Sequence, residues 1–162
     1  MTARERRTND PMEEETMDQP LRVYLMDNDL ASCNHTLDVL QHAPWVQVVG
    51  GMSNPEVALR EIPELAVDAV FLDVELPGMS GFKFLERLPV KPAIVIVAKP
   101  ETEYLLKAFR VGAVDFVSKP VSREDLIRAT VKAGIELGRV EHWVPREVLE
   151  EMKKSGRPLP ES

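Results

Sequence analysis

A single cysteine, Cys33, in 162 residues excludes any internal disulfide framework. No apolar segment approaches the roughly 20 residues needed to cross a bilayer. The N-terminal stretch is charged and lacks the apolar centre of a secretory signal. Basic residues are in the minority, 20 Lys and Arg against 27 Asp and Glu, for a formal net charge of -7. That balance argues against general affinity for nucleic-acid backbones or anionic membranes. Internal repeats are missing, and so is any zinc-type Cys/His spacing. His35 and His42 fall in an expected helix and His142 near the C-terminus, all read as surface or packing residues. A soluble, cytoplasmic protein is the expectation. At 44% hydrophobic residues, the chain can build one ordinary core plus tails.

Residues 1–20 carry Arg4, Arg6, Arg7 and the Glu13-Glu14-Glu15 run with almost no apolar periodicity, and are expected to be a disordered tail. Order begins with the strand Leu21 to Met26, ended by Asp27-Asn28-Asp29. A helix with Leu30, Leu37 and Leu40 on one face follows, then a strand from Trp45 to Val49 stopped by Gly50-Gly51. Asn54-Pro55-Glu56 is a helix start, with Asn as N-cap and Pro in the first turn; Val57, Ile62 and Leu65 form its expected buried side. The apolar run Ala69 to Leu72 reads as a fully buried strand closed by Asp73. Ser80 caps a helix with Phe82, Phe84, Leu85 and Leu88. Ala93 to Ala98 is a fourth strand, followed by a helix over about 101–111 and a short strand from Ala113 to Val117. Ser122 caps the last helix, whose early acids suit its dipole. Strands alternating with helices imply βαβ units and a parallel sheet. The expected fold is α/β, a flavodoxin-like (βα)5 three-layer sandwich with strand order 2-1-3-4-5. The expected domain spans 21–139; residues 140–162 form an extension with a short amphipathic helix around Val144 to Met152.

In such a sheet the first, third and fifth strands end on the same rim. Those ends offer Asp27 with Asn28 and Asp29, then Asp73, then Lys119. Clustered carboxylates repel unless a cation sits among them, and hard divalent ions prefer oxygen ligands. A lysine adds a point charge suited to phosphate oxygens. Acids, a lysine and Mg2+ are the parts of phosphoryl transfer, where positioning and charge neutralisation do most of the work. Lys119-Pro120 biases the lysine toward an extended backbone.

Three pieces then carry a family resemblance over about 21–139. They are Val23 to Asp27, Phe71-Leu72-Asp73 through Leu76-Pro77-Gly78 to Gly81, and Lys107-Ala108-Phe109 through Gly112-Ala113-Val114-Asp115-Phe116-Val117-Ser118-Lys119-Pro120. Their order and spacing resemble the receiver domain of two-component response regulators. The Glu103-Tyr104 and Lys107-Ala108-Phe109 stretch leans toward receivers of the LytTR type. The resemblance implies that Asp73 is the phosphoacceptor and takes its phosphoryl group from a histidine kinase or phosphotransfer protein. It implies that Asp27, Asp73, the Glu75 carbonyl and Asn28 hold Mg2+, and that Lys119 pairs with the phosphoryl group. Phe116 matches the aromatic switch residue. The implied protein is a stand-alone, non-enzymatic receiver of a phosphorelay. It would signal by contact with a downstream protein or a second copy, without binding DNA or membrane.

Two departures stand out. Asn28 replaces the usual second acid, removing a charge whose pairing at about 4 Å is worth roughly 4 kcal/mol at a surface-like dielectric; Asp29 is the candidate to compensate. The fourth strand lacks the hydroxyl expected at its end: Val97 or Ala98 holds the position, and Lys99 follows. Two rival readings arise. A pseudo-receiver would keep the fold and bind partners regardless of phosphate. A haloacid-dehalogenase-type phosphatase would use Asp27 as nucleophile and Asp29 as acid/base, but it leaves Asp73 and the Pro77-Gly78 turn unexplained.

Overall fold

The computed structural model describes residues 19–52 and 54–139, with positions 150 and 154. The expectations for the first 18 residues and for the extension beyond residue 139 lie outside the described residues. The elements are β1 (Leu21–Met26), α1 (Leu30–Gln41), β2 (Val46–Met52), α2 (Pro55–Glu64), β3 (Ala69–Asp73), β4 (Glu75–Leu76), β5 (Met79–Ser80), α3 (Gly81–Arg87), β6 (Ala93–Ala98), α4 (Thr102–Arg110), β7 (Asp115–Ser118) and α5 (Arg123–Glu136). The main sheet is parallel, in the order β2-β1-β3-β6-β7. This is the expected flavodoxin-like topology; β4 and β5 form a separate two-residue hairpin that shifts the later strand numbers.

Side chains alternate across the sheet, so each strand feeds two half-cores. Leu25, Phe71, Val95, Val97 and Val117 pack with Val39 and Leu40 of α1 and with Leu126, Ala129 and Ala133 of α5. Tyr24, Met26, Val70, Leu72, Ile96 and Ala98 pack with Ala58 and Ile62 of α2, Phe84 of α3 and Ala108 of α4. The caps form where the sequence places them. Asn54 accepts from the Glu56 and Val57 amides, Ser80 from Lys83 and Ser122 from Asp125.

The structure corrects four local expectations. β2 does not stop at Gly50-Gly51 but runs through both to Met52. Gly50 pairs with the fully buried Tyr24, and a Cβ there would lie 2.9 Å from the tyrosine ring, so these glycines make room within a strand rather than end it. Leu30 is 76% exposed. The buried arc of α1 is centred on Thr36, with Cys33, Val39 and Leu40 around it, and at 100° per residue Leu30 falls about 120° away. On α2, Ala58 and Ile62 are fully buried, while Val57 and Leu65 are half-buried. The last strand begins at Asp115, two residues later than Ala113.

Candidate functional site

Asp73 is the final residue of β3, and its carboxylate is set by the loop that follows. Its Oδ1 accepts the Glu75 amide at 2.9 Å, closing a short turn of the kind Asp readily forms. Pro77-Gly78 then reverses the chain, with Gly78 at a positive φ of 78° that L residues rarely adopt. The hairpin delivers the chain to Gly81, whose amide bonds the Val74 carbonyl at 2.7 Å. A Cβ on Gly81 would lie 2.5 Å from the Asp73 carbonyl oxygen, so glycine lets α3 press against the acid-bearing loop. That role is visible only in three dimensions; in the sequence Gly81 is one residue of a longer motif.

Asp27 follows β1 directly, in the neighbouring strand. Lys119 follows β7 and is anchored by its own amide, which donates to the Ala98 carbonyl at 2.8 Å. The Lys119-Pro120 peptide is cis. From there the ammonium crosses β6 to meet both acids, with Nζ 3.1 Å from Asp27 Oδ1 and 3.0 Å from Asp73 Oδ2. The three side chains are largely enclosed, at 8%, 7% and 20% exposure. Burial pushes the Asp73 carboxyl above its ordinary range, against the opposing pull of the Glu75 amide and Lys119. Burial works against the charge on Lys119, but hydrogen bonds and attraction from Asp73 and Asp27 outweigh it and hold the lysine protonated. Two carboxylates and one ammonium leave a net charge of -1, which draws in a further cation.

Among the described residues, no group of three or more His, Cys, Asp and Glu side chains is arranged to hold a metal. The site instead offers two carboxylates, with the Asn28 amide and the Glu75 carbonyl as further oxygen donors nearby in the chain. Such a hard, all-oxygen set suits Mg2+, which commonly takes one or two carboxylates and keeps several waters.

The remaining candidates are placed differently. Asn28 and the Glu75 side chain are exposed. Asp29 caps α1, accepting from Ala31 at 3.0 Å and Ser32 at 3.3 Å, so its carboxylate is engaged there. Both bonds fall on Oδ1, one oxygen of the carboxylate that the sequence offered as compensation for Asn28 and as the acid/base of the phosphatase reading. Lys99 is exposed. Phe116 and Ala98 share the α2–α3–α4 half-core, on the sheet face opposite to Val97. The register pairs Asp73 with Val97, so Val97, not Ala98, occupies the neighbouring place on the same face.

Three residues near the site were not read as part of it from the sequence. Cys33 and Thr36 of α1 line a small cavity with Asp27, Phe71 and Val97. The Thr36 hydroxyl is buried without a partner among the described residues. Tyr104 of α4 has its hydroxyl pushed up in pKa by desolvation and by Glu75, Glu101, Glu103 and Asp73, which places it within electrostatic reach of the acceptor. A helical tyrosine carries no such signal in sequence.

Comparison with known proteins agrees with this geometry. Residues 23–131 match the response regulator receiver domain family. Over 110 residues the chain is 36% identical to a protein-glutamate methylesterase/protein-glutamine glutaminase of Xanthomonas campestris pv. campestris, covering 65% of this chain and 31% of that protein. The chain therefore spans about a third of the length of that relative. Among solved structures, the REC domain of AraT, a response regulator from Geobacillus stearothermophilus, superposes with a TM-score of 0.63 at 22% identity, over 73% of this chain and 95% of that one. A CheX-CheY-BeF3-Mg+2 complex from Borrelia burgdorferi gives 0.63 at 16% identity, over 70% and 88%. At these identities the two structures speak for the fold alone.

Proposed function

Because the chain belongs to the response regulator receiver domain family, we propose that it is a phosphoryl-accepting signalling module, with Asp73 as acceptor and phosphohistidine on a histidine kinase or phosphotransfer protein as donor. One observation carries this reading: Asp73 ends β3 in an enclosed site, 3.0 Å from an ammonium that also holds Asp27. The Asp73 carboxylate attacks phosphorus. An O–P bond forms, the N–P bond to the donor imidazole breaks, and the imidazole leaves with the electron pair and takes a proton from solvent. Lys119 orients the acceptor before transfer and balances the charge of the phosphoryl oxygens after it. Asp27, Asp73, Asn28 and the Glu75 carbonyl would hold Mg2+, which when bound neutralises phosphoryl charge. The turn made by the Glu75 amide fixes one carboxylate oxygen and leaves the acceptor little freedom to rotate.

The reading is of a protein that is modified and then recognised by others, not one that turns over a substrate. The acidic balance of the chain favours protein partners over nucleic acid or membrane. Among the described residues, no helix is long and apolar enough to cross a membrane.

A second reading is favoured by Val97. With no hydroxyl beside Asp73 on β6, the domain could serve as a binding module whose contacts ignore phosphate. Intact mass after incubation with Mg2+ and acetyl phosphate separates the two. A gain of one phosphoryl group, absent in Asp73→Asn, is the expected result. No adduct in the wild type at high Mg2+ with rapid quenching overturns the acceptor reading and leaves the second.

A further inference from the structure

α1 and α5 cover the same face of the sheet, and each buries a threonine. The two hydroxyls differ. Thr130 of α5 donates to the Ile127 carbonyl at 2.7 Å and accepts the Trp45 indole N–H at 2.9 Å. Thr36 of α1 is 4% exposed, and its hydroxyl has no partner among the described residues. A helical threonine can return its hydroxyl to a carbonyl one turn back, as Thr130 does, but Thr36 does not. It lines instead a cavity of about 10 Å³ shared with Cys33, Asp27, Phe71 and Val97. That is room for one water molecule.

Cavities walled only by apolar groups stay dry, whereas an internal water needs several polar partners. Here three polar side chains contribute to the wall. The Thr36 hydroxyl can donate to a water oxygen. Asp27 is bonded at Oδ1 by Lys119 at 3.1 Å and by the Asp29 amide at 2.9 Å. Among the described residues no hydrogen bond reaches its Oδ2, which can accept a proton of the water. Cys33 lies three residues before Thr36, on the same side of α1. Burial and the charge of Asp27 push its thiol up in pKa, against the pull of Lys119, so it stays neutral. Its sulfur is a weak acceptor for the second proton of the water.

We propose that this cavity is a site for one internal water, which joins the Thr36 hydroxyl to the Asp27 carboxylate and makes Thr36 a positioning residue for that acid. Lys119 holds one oxygen of Asp27 from β7, and the water holds the other from α1. A bridging water of this kind is nearly as good as a direct hydrogen bond and orders both of its partners. The proposal stands on the cavity and its polar wall, and does not depend on phosphorylation of Asp73. Under the function proposed above, the same water steadies one of the two carboxylates offered to Mg2+.

High-resolution crystal structures of the full chain, grown without Mg2+ or phosphodonor, test the site. The wild type and Thr36→Ser should show one water within hydrogen-bonding distance of the residue 36 hydroxyl and the Asp27 carboxylate. Thr36→Val removes the hydroxyl at nearly constant volume, and Val97→Ile fills the space with a methyl group; both should lose the water. The carboxyl carbon signal of Asp27 in NMR spectra, again without Mg2+, reads the positioning. It should shift in Thr36→Val and in Val97→Ile and keep its place in Thr36→Ser. Circular dichroism checks that each variant folds, and Val97→Ile carries the test if Thr36→Val does not. A dry cavity in the wild type overturns the proposal. So does an Asp27 signal that stays in place when the water is lost, or one that moves as far in Thr36→Ser as in Thr36→Val.

Discussion

β3 and β6 lie side by side, pair residue for residue, and reach the same rim of the sheet. β3 ends there in Asp73, held by Lys119 and by the Glu75 amide. β6 presents Val97 at the paired position, with no polar atom to offer. One strand end thus carries the groups for accepting a phosphoryl group; its neighbour lacks the hydroxyl expected to report it. Under the proposed function, acceptance and readout would be separate devices a single strand apart, with the first kept and the second altered.

Several changes would break or sharpen that contrast. The largest effect is expected from Lys119→Ala, which strips the shared cation from two enclosed carboxylates. Adduct formation with acetyl phosphate should fall by about 100-fold or more, in line with the loss of one preorganised electrostatic contact. Mg2+ affinity should rise at the same time, because the local net charge goes from -1 to -2. Quenched-flow mass analysis and Mg2+ titration measure the two separately; a parallel fall in both would mean that the variant has simply collapsed.

A smaller change is expected from Asn28→Asp, which restores a carboxylate at the exposed edge of the same site. Screening by water reduces the full Coulomb gain, so Mg2+ should bind about tenfold more tightly. An unchanged affinity, read by calorimetry, would place the cation away from Asn28. The smallest change should come from Val97→Thr. Exchanging a methyl for a hydroxyl in a packed strand usually costs about 1 kcal/mol. Here the cavity shared by Val97 and the Thr36 hydroxyl, unpartnered among the described residues, should keep the loss in thermal or denaturant unfolding within that value. The gain should appear in the readout: phosphodonor should perturb Phe116 more in this variant than in the wild type.

How far these features could be read in the sequence depended on whether their cause was local. Asp73 stood out because an apolar run stops at it and a Pro-Gly turn follows, and both are signals within a few residues. Asn54, Ser80 and Ser122 were legible as caps for the same reason. Gly50-Gly51 were misread because their cause, the ring of Tyr24, lies on another strand. Leu30 was misplaced because helical period alone does not say which arc meets the sheet. Val97 and Ala98 could not be told apart in sequence, since one step of register moves a side chain to the opposite face. The engagement of Asp29 by α1 was hidden too: a carboxylate near a site and a carboxylate capping a helix look identical as letters.

The two-part account is tested most directly by amide NMR spectra of the wild type, recorded with Mg2+ before and after addition of acetyl phosphate. The account predicts large shifts at Asp27, across 73–81 and at Lys119, with the amides of Ala98 and Phe116 nearly unmoved. Shifts of equal size at Ala98 and Phe116 would contradict the separation of acceptance from readout, and a spectrum without any change would contradict acceptance itself.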